Sequence, residues 1–176
     1  MKNEPPALFT SRRMEATGVE YLYEYYDADS FENLPIDRVK QAYGVCFVGN
    51  EIIIGFGGMK KGWGLIGGSV EIGETYEQTL VREIKEESNS EVLSFLAIGY
   101  QKLTNADDGK VIYQLRYVCK VRPYGKFFID EGDGMTEKGI TEIKLIDPLQ
   151  YKHYFDWGEI GERIIQRALE LKNDLK

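Results

Sequence analysis

Eight of the chain's 19 glycines crowd into residues 55–73, and a helix-forming segment opened by Thr75 follows directly. Glycine at that density is unfavourable inside helices and strands, so the stretch reads as an extended loop whose backbone something approaches closely. Thr75 can cap the next helix, and Gln78, three residues on, completes a capping box. On that helix Glu83, Glu86 and Glu87 fall within an arc of about 100°, because their spacings are i to i+3 and i to i+4. Like charges so placed cost a helix a few tenths of a kcal/mol per pair, and only Arg82 is near enough to help. A hard cation such as Mg²⁺, held by carboxylate oxygens, would remove that cost. Taken alone, the spacing leaves a solvated acidic face open as the other reading.

Around this centre the pattern is one of strands. Residues 19–25 place Val19, Tyr21, Tyr23 and Tyr25 on one face at period two, a strand that packs on this domain or on a partner subunit. Segments 39–48 and 51–56 flank Gly49-Asn50 as a hairpin. Segments 92–103 and 111–121 flank the turn-rich 105–109 as another, and the second alternates through Val111, Tyr113, Leu115, Tyr117, Cys119 and Val121. A short strand at 140–146 stops at Asp147-Pro148, and a last helix from about Trp157 carries Ile160, Ile164, Ala168, Leu171 and Leu175 at helical spacing. Residues 1–17, polar and with Pro5 and Pro6, read as a loose arm ahead of a single domain over 18–176. Strands with two well-separated helices predict an α/β (α+β) architecture, a mixed sheet between helices.

With 22 basic and 29 acidic side chains the formal charge is −7, which offers no general attraction to a polynucleotide or an anionic membrane. The N-terminus does not continue into an apolar signal, and no apolar run approaches the roughly 20 residues of a membrane span, so a cytoplasmic address is expected. Cys46 and Cys119 sit in apolar segments and read as buried thiols, and His153 has no catalytic companions in sequence.

Gly68, then Glu74 after five intervening residues, then Arg82-Glu83-Ile84-Lys85-Glu86-Glu87 after seven, follow the Nudix box, and over roughly 38–172 the chain resembles the Nudix hydrolase family (MutT-like). The box spans residues 68–90, and the segment 63–74, which runs into it, also resembles the family's loop. Two places depart from the pattern: Asn89-Ser90 stand where Gly and an aliphatic residue are usual, and Ile66 stands where Pro is common. Asn89 can take the left-handed conformation a helix end wants, whereas Ser90 removes an aliphatic side chain from an expected core contact.

The resemblance implies a Nudix-type α/β/α sandwich and a Mg²⁺-dependent pyrophosphohydrolase, with Mn²⁺ able to substitute. Glu83, Glu86, Glu87 and the Gly67 carbonyl would bind the metal. Glu74 and Arg82 would brace loop against helix, and Gly67 and Gly68 would let backbone approach the pyrophosphate. The general base would be a box glutamate, Glu83 or Glu86, or a later one, with Glu137 ahead of Glu131 and Glu142. The cluster 130–134 lacks calcium-hand spacing and reads as a lid. The expected substrate is a small nucleoside diphosphate derivative: a nucleoside triphosphate, a nucleotide sugar or an ADP-ribose type. Tyr100, Tyr113, Phe127, Phe128, Tyr154 and Trp157 are candidates to stack on its base. A homodimer through the Tyr-rich strand is one expected assembly. A nucleotide-sensing module without turnover is the alternative. An isoprenoid diphosphate isomerase is disfavoured because neither cysteine sits in the required motif, and messenger-RNA decapping because of the acidic balance.

Overall fold

The computed structural model describes residues 5–15, 17–57, 61–125 and 139–176. Among these, nine strands form one sheet: β1 (Phe9–Met14), β2 (Glu20–Asp27), β3 (Val39–Val48), β4 (Glu51–Gly57), β5 (Gly62–Gly64), β6 (Ile66–Ser69), β7 (Ser90–Asn105), β8 (Val111–Pro123) and β9 (Ile140–Ile146). Two helices, α1 (Tyr76–Ser88) and α2 (Gly158–Leu171), complete the layers. The order β1-β2-β7-β8-β3-β4-β5 is antiparallel except where β3 runs parallel to β8, with β6 added to β3 and β9 to β4. The sheet is therefore mixed, as the strand and helix pattern predicts.

The central strands are apolar on both faces because each face carries a helix. Cys46 and Ile53 join Leu80 and Ile84 of α1 in one core, while Val45, Phe47, Ile52 and Ile54 join Ile160, Ile164 and Ala168 of α2 in the other. The alternating residues of β8 from Tyr113 to Val121 all lie in the α1-side core. Gly49, at φ 62°, makes the tight β3–β4 turn.

The expectation of a loose arm over residues 1–17 is corrected: Phe9–Met14 is a strand, paired with β2 from Phe9↔Tyr25 to Met14↔Glu20. Neither face of the segment is wholly apolar, and its order comes from β2's backbone hydrogen bonds, from Phe9 packed against the α2-side core, and from Arg13, which donates to the Trp157 carbonyl. The pairing expected of the Tyr-rich strand across a two-fold axis is also corrected. β2 lies between β1 and β7, both its edges are used, and Tyr23 and Tyr25 are buried in the α2-side core of the same chain. No helix among the described residues is long and apolar enough to cross a membrane.

Candidate active site

The capping box expected at the start of α1 is formed: the Thr75 hydroxyl accepts from Gln78 N at 3.2 Å, and Gln78 Oε1 accepts from Thr75 N at 2.9 Å. At the other end Asn89 adopts φ 46° and ψ 46°, so it does the backbone work of the missing glycine. Ser90 is buried, but its hydroxyl donates to Ser88 O at 3.0 Å, which satisfies the polar group this chain carries in place of the usual aliphatic residue. Ile66, in the place of the usual proline, is fully buried against α1.

Leu80 and Ile84 seat α1 on the sheet, and this turns its acidic face toward β6. Arg82 holds the arrangement together. Its Nε and Nη2 reach the two oxygens of Glu74 at 2.6 and 3.0 Å, Nη2 also donates to Ser69 O at 3.0 Å, and Nη1 reaches Glu83 at 2.9 Å and Glu86 at 3.2 Å. Such a forked, charge-assisted clamp is specific to arginine. Glu74 also accepts from Thr79 Oγ1 at 2.7 Å, and Arg82 together with Thr79 holds its carboxyl at about 2. The brace between loop and helix is thus present in full.

Glu87 lies on the same face and accepts from Gly67 N–H at 2.9 Å. Burial pushes its carboxyl up to about 8, against the pull of that N–H and helped by the charges of Glu83 and Glu86. Glu83 is raised as well, by burial first, with Arg82 opposing. A Cβ at Gly68 would stand 2.5 Å from Glu83 Oε1, so the bare backbone there makes room for this carboxylate. Glu86 is the exposed member.

Among the described residues no three His, Cys, Asp or Glu side chains are set as a closed metal cage. The donors nevertheless suit a hard cation. They are all oxygens, two of the carboxylates are desolvated, and Glu87 has no basic partner among the described residues, a charge arrangement a divalent ion would neutralise. At Gly67 the contact formed is through N–H, to Glu87, whereas the family resemblance implies a metal-binding role for its carbonyl.

The other candidates separate. Tyr100 and Tyr113 are buried core rings of the α1 side, while Tyr154 and Trp157 pack half-buried on the α2-side core. Glu142 is exposed and paired with Lys144 at 3.5 Å, and His153 is exposed. Cys46 and Cys119 are free and buried, side by side in register. Glu131, Glu137, Phe127, Phe128 and the acidic cluster 130–134 lie outside the described residues.

Sequence reading missed a polar row on the opposite face of β3, β8 and β7. Arg116, 4% exposed, donates to Leu115 O and Gln114 Oε1, each at 3.0 Å, and to Gln101 Oε1, and stacks 4.9 Å over Tyr43. Burial pulls this guanidinium down to about 10. The signal available was an arginine and three glutamines at inward-facing positions of central strands.

A mixed sheet between two helices, carrying a glycine loop and an arginine-braced acidic helix, defines a Nudix-type fold. The profile of the NUDIX domain family matches residues 42–166, and the chain belongs to that family. The enzyme class expected from the sequence, a hydrolase of pyrophosphate bonds, stands with that membership. Solved structures agree in fold. The pyrophosphohydrolase BsRppH of Bacillus subtilis is 17% identical, with 94% of this chain and 99% of that one covered at a TM-score of 0.63. A Nudix hydrolase from Nitrosomonas europaea is 15% identical, with 75% and 89% covered at 0.57. A MutT Nudix hydrolase from Burkholderia pseudomallei is 16% identical, with 74% and 96% covered at 0.54. A search of curated proteins gave no match.

Proposed function

We propose that this protein is a Mg²⁺-dependent hydrolase that cleaves a phosphoanhydride bond of a nucleoside diphosphate derivative by water attack, acting in the cytoplasm on a small nucleotide. The observation that carries the reading is the pair of desolvated carboxylates, Glu83 and Glu87, set against glycine backbone and steadied by the Glu74–Arg82 brace. That the fold neighbour from Bacillus subtilis is a pyrophosphohydrolase, and that from Nitrosomonas europaea a Nudix hydrolase, favours the same bond. The charge of −7 favours a small substrate over a polynucleotide.

Glu83, Glu86 and Glu87 would hold the ion, with Mn²⁺ accepted in its place. When bound, it supplies neutralisation of the diphosphate and a more acidic water. Arg82 keeps Glu83 and Glu86 oriented, the bare backbone at Gly67 and Gly68 leaves room for β3 and for Glu83, and one carboxylate takes the water's proton. Glu86, Glu83 and Glu137 are the candidates for that last role. The alternative, a nucleotide-sensing module without turnover, predicts nucleotide binding with no hydrolysis in Mg²⁺ or Mn²⁺, and detectable catalysis removes it.

The test is product release from a panel of nucleoside triphosphates, nucleotide sugars and dinucleotides with Mg²⁺, using Glu86→Gln and Glu87→Gln. A loss of about 10²-fold or more is expected for removal of a group that carries the ion or the proton. Metal-dependent turnover at the unaltered rate in both variants would overturn the assignment.

A further inference from the structure

We propose that Arg116, Gln114 and Gln41 form a directed hydrogen-bond relay whose open end, the Gln41 amide N–H, binds an acceptor atom of the nucleotide. The inference rests on the nucleotide reading above.

Arginine can only donate, and Arg116 is buried with no carboxylate partner among the described residues and with its Nε unbonded. Burying a charge in that state is costly, so the carbonyl oxygens around it cannot turn away. Gln114 must therefore present Oε1 to Arg116, at 3.0 Å. Its amide nitrogen then faces Gln41 and donates to Gln41 Oε1 at 2.6 Å. With that oxygen engaged, the second amide is fixed too, and it offers its N–H donors at the end of the row. Gln114 cannot flip without placing its N–H against the guanidinium, nor Gln41 without placing its own against the N–H of Gln114. Among the described residues no acceptor takes the Gln41 donors.

The open end lies beside the glycine loop. Gln41 is the register partner of Ser69, and Ala42 is that of Gly68, the glycine that makes room for Glu83. Tyr43, under the Arg116 guanidinium, borders Gly67 so closely that a Cβ there would meet Tyr43 Cδ1 at 2.9 Å. Gln41 and Gln114 are only half-buried, so a ligand can reach them, whereas Arg116 acts solely through them as a positioning residue. The acceptor is a phosphate oxygen or the carbonyl edge of a base such as guanine or uracil, two sources of one chemistry.

The test compares GTP with ATP, and GDP-glucose with ADP-glucose, for binding and for kcat and KM. Gln41→Leu removes the donor, and affinity is expected to fall about tenfold. A fall confined to the guanosine ligands makes the acceptor the base carbonyl, and an equal fall in all four makes it a phosphate oxygen. Gln114→Glu keeps a partner for Arg116 but can no longer donate, so Gln41 turns its N–H to the new carboxylate and its carbonyl outward. With a base carbonyl as the acceptor, preference then shifts toward ligands that donate, such as the adenosine members, a change that loss of packing does not produce; with a phosphate oxygen, affinity for all four falls as it does in Gln41→Leu. Unaltered affinity and preference in both variants, with the wild type active, overturns the relay while leaving the hydrolase reading in place. A wild type that neither binds nor cleaves any nucleotide overturns both.

Discussion

At Gly68 the space a side chain would need already holds the Glu83 carboxylate, with Oε1, Cδ and Oε2 at 2.5, 2.6 and 2.7 Å from a Cβ placed there. Those atoms end a flexible side chain, so Gly68→Ala is expected to fold and to displace Glu83. A higher Mg²⁺ concentration for half-maximal rate, with an unaltered melting temperature, is the expected readout. Glu74 gives a second prediction. Its carboxyl is held at about 2 against the usual 4.5, so it favours the folded state at every pH above 4.5 and loses that effect as pH falls from 4.5 toward 2. Acid titration of Glu74→Gln followed by circular dichroism should therefore show a shallower loss of structure across that window than the wild type. The acidic triplet was legible in the sequence because helical spacing fixes which residues share a face, whereas the brace by Glu74 and Arg82 was implied by the resemblance to the family. The Arg116 row was not, because a polar residue on a strand buried on both sides announces neither its partner nor its face.

Helix α1 owes its boundaries to two local devices, one at each end. Thr75→Ala removes the cap and should cost about 1 kcal/mol, while Asn89→Val forces a β-branched residue to φ 46° and should cost about 1–2 kcal/mol. In a chain of this size each kcal/mol lowers the melting temperature by about 2–4 °C, measurable by calorimetry. Both devices are sequence-local, which is why this helix could be read in advance. Strand β8 was equally plain, since its alternation from Val111 to Val121 maps onto one core. β1 gave no such signal: Phe9, Ser11 and Arg13 share one side and Thr10, Arg12 and Met14 the other, so neither side is apolar. Its conformation is imposed by β2, the next strand in the chain, and only that neighbour reveals it.

Across the whole molecule the sheet joins segments far apart in the chain, and its outer end is the most exposed to damage. Deletion of residues 1–14 strips β1 from β2, uncovers a row of unpaired backbone groups above Tyr23 and Tyr25, and removes the bond from Arg13 to Trp157 O. Such a variant should melt at lower temperature and sediment as larger species than the 20.2 kDa chain. The strand order has a further consequence during synthesis. β2 finds its inner neighbour only in β7, as in Tyr25↔Gln101, so the early hairpin of β1 and β2 must wait on the ribosome for a template emerging long after it. A nascent chain halted before residue 90 would carry those tyrosines uncovered and be a natural client of chaperones until the later strands arrive.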